Sequence, residues 1–252
     1  MARPKVGLFV TCLVDLLRPN IGFAALKLLD SAGCETDVPR AQTCCGQPAY
    51  NSGDRETAAA VARQVIETFE RFDYVVAPSG SCAGMLRVHF PALLAGDPDW
   101  AKRAKEFASR CHELVSFLVN VRGMTAVAAR CESSACYHDS CSSLREMRVR
   151  DEPRKLLASV EGLRLNEISD GEACCGFGGA FCVKYPDISA RIGSDKLDNV
   201  ARTGTDLVLA ADLGCLVHLA GLAERQNRRL RFRHVAEVLV EDTETPPMGG
   251  SP

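Results

Sequence analysis

The stretches of this chain best equipped for chemistry are two Cys-Cys-Gly turns, "TCCGQPAY" at residues 43–50 and "ACCGFGGAF" at 173–181. Thirteen cysteines occur in 252 residues, and most of them fall into register when the two turns are aligned. Cys12 lies 32 positions before Cys44 and Cys141 lies 33 before Cys174; Cys82 follows Cys45 by 37 and Cys215 follows Cys175 by 40. Two sets of four thiols result: Cys12, Cys44, Cys45 and Cys82, and Cys141, Cys174, Cys175 and Cys215. Thiolates are soft ligands, and four around one point select zinc or an iron–sulfur cluster. Structural zinc sites pair their ligands in C-x₂₋₄-C knuckles, a spacing that neither set has. Adjacent cysteines strain a single tetrahedral ion but suit a cluster, where neighbours hold different irons. Gly46 and Gly176 follow the pairs and let the backbone come close, so that amides can donate to sulfur and tune a reduction potential. Cys182, in the same loop as the second pair, is a candidate extra ligand or redox thiol. His138, in "YHDSC", is either a hydrogen-bond donor or proton carrier beside the second set, or a half-buried histidine at a strand end.

The elements that must position these thiols repeat as well. "KVGLFVTC" and "ACYHDSC" read as short strands running into a cysteine, and "DYVVAPSGSC" and "DLVLAADLGC" read as buried parallel strands that do the same. Between them, "IGFAALKLLDSAG" is a helix stopped by Gly33. Ala58, Val61, Val65 and Phe69 after Asp54, and Ile188, Ile192, Leu197 and Val200 after Asp187, fall at helical spacing. The distance from Asp54 to Cys82 equals that from Asp187 to Cys215, so the three extra residues of the second repeat belong to the loop after its cysteine pair. Strand–helix–strand alternation in both halves predicts an α/β fold: two similar domains, each a small parallel sheet flanked by helices. Ligands of such sheets gather at the carboxyl ends of the strands, where these cysteines fall. The predicted domains are residues 1–120 and 121–242, with a disordered tail over 243–252.

Composition narrows the function. A net charge of −2 without long runs of one sign argues against nucleic acid or an anionic membrane as the main partner. No run of about 18 apolar residues exists, and Asp15 interrupts the apolar N-terminus, so that segment reads as a core strand rather than a signal peptide. The expected compartment is the cytoplasm, where thiols stay reduced and a disulfide framework does not form. "GFGGAF" lacks the last glycine of a dinucleotide fingerprint and does not follow a strand. Cys34, Cys111, Cys131 and Cys136 have no counterpart in the other half and read as core or surface thiols. His89, His112 and His234 read as structural, and Arg228, Arg229, Arg231 and Arg233 as a solvated cluster.

The patterns C-x₃₁-CC-x₃₆-C and C-x₃₂-CC-x₃₉-C, with "PSGSCAGM", "YHDSCSSLRE" and "CLVHLAG", resemble the tandem cysteine-rich CCG domain family. The CCG-bearing subunit of heterodisulfide reductase and the iron–sulfur subunit of glycolate oxidase are members, and the motifs are most similar to the family's lactate-utilization branch. The resemblance implies one cluster per repeat, [4Fe–4S] in type, held by the eight repeat cysteines. It implies an electron-transfer subunit of a cytoplasmic oxidoreductase complex that oxidises L-lactate to pyruvate. Two further lactate utilization proteins, one of them a ferredoxin-type iron–sulfur protein, would be its partners. The family ends each repeat in C-x-x-C; here Met85 and His218 replace the last cysteine, leaving His218 as a candidate nitrogen ligand and Met85 as packing. Alternatives are a glycolate oxidase-like or heterodisulfide reductase-like subunit, and a zinc-bound interaction module.

Overall fold

The structure, a computed structural model, describes residues 3–250. The first half forms β1 (Lys5–Leu8), β2 (Glu35–Asp37), β3 (Tyr74–Ala77) and β4 (Cys111–Glu113), all parallel, in the order β2-β1-β3-β4. The second half repeats that topology with β5 (Arg130–Tyr137), β6 (Glu161–Asn166), β7 (Leu207–Ala210) and β8 (Arg231–His234) in the order β6-β5-β7-β8. The fold is therefore α/β with duplicated parallel sheets, as the alternation predicts. Central strands are apolar on both faces because helices cover both: Val75, Val76 and Ala77, and every residue of β7, are buried.

Local signals start and stop the helices where the sequence places them. Asp54 caps the helix Arg55–Phe69, its carboxylate accepting the Thr57 amide at 3.0 Å. Gly33, at φ 73°, ends the helix Asn20–Ser31 in a left-handed turn. The helix Pro186–Ala201 departs from its expected stripe. Ile188 is exposed, and Ser189, Gly193 and Lys196 take the buried face together with Leu197 and Val200. Small residues are needed there because the second cysteine turn lies against this helix. A Cβ on Gly193 would stand 3.0 Å from the Cys175 carbonyl, and the Ser189 hydroxyl donates to the Gly176 carbonyl at 2.8 Å.

The C-terminal stretch is ordered through residue 250, which corrects the expected disordered tail; residues 251 and 252 lie outside the described residues. Met248–Gly249 form β9, antiparallel to β8. Arg233 donates to the Asp242 and Thr245 carbonyls, both at 2.6 Å, and Arg18 to the Pro246 carbonyl at 2.8 Å. Pro and Gly content alone does not reveal three arginine contacts made from elsewhere in the chain.

The halves share one core: Val6, Leu8, Leu28 and Val76 pack in the same cluster as Ala135, Leu156, Leu209 and Val235. A buried ion pair, Arg18 to Glu237 at 2.7 Å, crosses between them. His234 bridges them too, its Nε2 donating to the carbonyls of Pro78 and Ala211 at 3.1 and 2.9 Å. The contacts between halves are crossed. The helix Cys12–Leu17 packs on the helix Leu213–Arg225, and the helix Gly80–Gly84 packs on the helix Cys141–Arg145. The second contact is very close: a Cβ on Gly80 would fall 1.8 Å from the Ser143 hydroxyl.

Candidate metal centre

Each single cysteine of the two sets sits in the first turn of a helix rather than at the end of a strand. Cys12 and Cys141 are the first helical residues after Thr11 and Ser140; Cys82 and Cys215 are the third after Ser79 and Asp212. Thr11, Ser140 and Ser79 cap their helices, accepting the amides of Val14, Ser143 and Cys82 at 3.4, 3.3 and 3.3 Å. First-turn amides carry partial positive charge and favour a thiolate over a thiol. The paired cysteines arrive on left-handed glycine turns, Gly46 at φ 80° and Gly176 at φ 89°. The Gly176 turn admits no side chain, since a Cβ would lie 2.4 Å from the Ser189 carbonyl. Its amide donates to Cys174 Sγ at 3.3 Å, and the Phe177 amide to Cys175 Sγ at 3.4 Å.

The four thiols of each set meet. In the first, Cys12 Sγ is 3.8 Å from Cys44 Sγ and Cys45 Sγ is 3.4 Å from Cys82 Sγ, with Cys44 also accepting from Cys45. In the second, Cys175 Sγ is 2.9 Å from Cys215 Sγ, and Cys174 accepts from both Cys141 and Cys175. All thirteen cysteines are free thiols. One cavity of about 570 Å³ is lined by all eight repeat cysteines, so the two sets face each other across a shared space.

Electrostatics decide what these thiols want. Thiol donors hold Cys44 and Cys174 ionised, each with its pKa pulled down to about 2 by a neighbouring cysteine, Cys12 and Cys141 respectively. The remaining charge cannot follow. Cys12, Cys45, Cys141 and Cys175 are pushed up because their protons serve those neighbours and because burial penalises further negative charge. Among the described residues lining the cavity there is no lysine or arginine. Ionising all four thiols of a set therefore needs positive charge that the lining side chains do not supply, and a metal or cluster would supply it. The residues present fit such a group.

A carboxylate that the cysteine spacing does not reveal lies between the sets. Asp212 is buried and accepts the hydroxyls of Ser79 at 2.6 Å, Ser81 at 2.7 Å and Ser140. Its donors come from both halves, so it ties the cysteine-bearing helices together. The available signal is positional: Asp212 precedes Cys215 by three residues as Ser79 precedes Cys82, and both are helix caps. At the cavity wall, His89 of the first half meets Glu146 of the second at 3.2 Å and packs against Tyr50, a more specific place than the structural role expected of it.

The remaining candidates separate. His138 is fully buried beside the second set, and neither ring nitrogen has a partner. Burial holds its pKa down at about 3, so the imidazole is neutral with a free lone pair. Its donor atom and those of Cys175 and Cys215 lie within 4.8 Å of one another. His218 instead has a partner, the Ser189 hydroxyl at 3.3 Å; like His138, it does not line the cavity. Cys182 donates to the Gly179 carbonyl at 3.1 Å, also away from the lining. Met85 is fully buried in the first-half core. Cys34, Cys111 and Cys136 are buried and Cys131 is half-buried, all outside the cavity. Three of the four clustered arginines, Arg228, Arg231 and Arg233, have acidic or carbonyl partners.

Two parallel sheets that bring matched cysteine sets together define the class, and the profile of the cysteine-rich CCG domain matches residues 6–87 and 135–220. The chain belongs to this family, with the domain present twice. Among curated proteins it is 46% identical over 235 residues to lactate utilization protein A of Bacillus subtilis (strain 168), covering 93% of this chain and 98% of that protein. It is 45% identical, with the same coverage, to the proteins of that name from Bacillus cytotoxicus and Shouchella clausii. Among solved structures, a hypothetical protein from Helicobacter pylori superposes with a TM-score of 0.71 at 9% identity, over 100% of this chain and 55% of that one, a likeness of fold. No helix among the described residues is long and apolar enough to cross a membrane.

Proposed function

We propose that this chain is an iron–sulfur electron-transfer subunit of a cytoplasmic complex that oxidises L-lactate to pyruvate. The observation that carries the reading is the convergence of two cysteine quartets on one cavity whose lining carries no lysine or arginine. Oxidation of lactate to pyruvate releases two electrons and two protons. A cluster in each quartet would supply a one-electron site, so that one chain could accept the pair in single steps. The protein's own part is to hold the eight thiolates and place helix amides and the turn amides of Gly176 and Phe177 against sulfur. The name of the relatives supports lactate as the substrate, and lactate utilization in turn calls for partners: a ferredoxin-type iron–sulfur protein and a third subunit.

Anaerobic preparation with iron and sulfide analysis and electron paramagnetic resonance tests this. Two clusters of the four-iron type are expected, and fewer than about three irons per chain refute the two-cluster reading. A colourless, zinc-loaded protein would refute it in favour of a structural module. The shared cavity favours one second reading, in which a thiol or disulfide substrate enters between the quartets; turnover of such a substrate by the loaded chain alone would establish it.

A further inference from the structure

We infer that His138 is a metal ligand of the second-repeat centre, which makes that centre a mixed cysteine–histidine site while the first is held by thiolates alone. The inference rests on the iron–sulfur reading above. His138 follows β5, and its amide donates to the Leu209 carbonyl at 2.7 Å, which fixes the ring where the two central strands end. Both ring nitrogens are buried without a hydrogen-bond partner. Burying a polar group unpaired costs free energy, and such orphans in native structures call for an unseen partner. The buried His234 shows what a structural histidine looks like here: Nε2 donates to two carbonyls and Nδ1 accepts the Ala236 amide at 3.2 Å. His138 has instead two thiol sulfurs, those of Cys175 and Cys215, within 4.8 Å.

The duplication supplies an internal control. Cys141 is preceded by His138 at three residues, and Cys12 at the same distance by Phe9. Phe9 is fully buried and packs on Phe69 with ring centroids 5.5 Å apart. An apolar ring therefore satisfies the fold at this position, and packing does not require an imidazole in the second half. The His218 imidazole, which stands where the family's last cysteine falls, is turned toward Ser189 instead. The imidazole would thus add a neutral nitrogen donor to the four thiolates of the second set, where the first set has none.

The test uses the full chain loaded anaerobically with iron and sulfide, with metal and sulfide counted first. Pulsed paramagnetic resonance of the reduced protein, with and without ¹⁵N-labelled histidine, is expected to reveal a directly coordinated nitrogen. The coupling should persist in His218→Ala and vanish in His138→Phe, which keeps the first-centre signal. Iron at both centres without a coordinated histidine nitrogen overturns this inference alone. No iron at either centre overturns the iron–sulfur reading and this inference together. If His138→Phe does not fold, labelling of the unaltered protein decides the matter.

Discussion

Asp212 is the buried charge on which the geometry of the cavity turns, so Asp212→Ala should destabilise the protein more than any single serine change around it. The carboxylate receives hydroxyls from Ser79, Ser81 and Ser140, and the Ser81 amide lies 3.3 Å from both oxygens. Hydrogen bonds to a charged group contribute about 1.5–3 kcal/mol each. The full sum is not lost, because Ser79 and Ser81 are 3.1 Å apart and Ser140 and Ser143 2.8 Å apart, so the hydroxyls can rebind one another. Relief of burying the carboxylate offsets a further part. A net loss of about 3 kcal/mol remains, the lower edge of what breaking a buried charged network costs. Urea denaturation followed by circular dichroism at pH 7 measures it. At a slope of about 1–3 kcal/mol per molar urea, the midpoint should fall by about 1 M or more. Asp212→Ser, which installs the first half's residue, and Asp212→Asn should fall between. A loss below about 1 kcal/mol for Asp212→Ala would refute the claim that this group ties the halves together.

Four further outcomes are expected. Gly80→Ala places a Cβ 2.9 Å from the Ser143 Cα as well as on its hydroxyl; backbone cannot step aside, so the melting temperature should drop by the equivalent of about 1–3 kcal/mol, and an unchanged melt would deny the close helix contact. Gly176→Ala should lower second-centre iron uptake while Gly53→Ala, left-handed but with no atom within 4 Å, leaves uptake unchanged; equal iron in both proteins would contradict this. Glu113 is fully buried, and desolvation raises its pKa from 4.5 to about 7. The native state then keeps a proton that the unfolded state has lost, so stability falls as pH rises from 4.5 through 7, by about 3 kcal/mol at about 1.4 kcal/mol per pH unit. Glu113→Gln should flatten that slope and be the more stable protein at pH 8 in urea titrations; parallel curves would rule the effect out. Cys182→Ser should bind as much iron as the parent whereas Cys82→Ser loses the first centre, and a loss in Cys182→Ser would bring that thiol back into the ligand set.

Much of the site was legible because its determinants are local. Spacing alone grouped the eight cysteines, since a duplicated strand–helix unit returns each thiol to the same edge of its sheet. The caps Asp54 and Gly33 marked helix ends because they act within a turn of themselves. What stayed hidden depends on direction or on distant partners. The family's C-x-x-C pattern made His218 the candidate nitrogen ligand, but a histidine three residues past Cys215 on the helix Leu213–Arg225 turns toward Ser189, whereas His138 lies near the sulfurs. Asp212 is marked locally only by its place three residues before Cys215, as the serines it binds come 131 and 72 residues away. Ile188 looked like core by period, yet the cysteine turn displaced that stripe with Ser189 and Gly193. The ordered end of the chain depends on Arg18 and Arg233, which no terminal composition reveals.

The exchange of helices between repeats has a bearing on biogenesis. While the chain leaves the ribosome, the helix bearing Cys82 can rest on β3 and β4 of its own half, but its contact with residues 141–145 waits until they have been made, as the contact of the Cys12 helix waits for 213–225. Neither cysteine set thus has all its neighbours in a half-finished polypeptide, and on the iron–sulfur reading proposed above, loading would be a late event, after synthesis and closure.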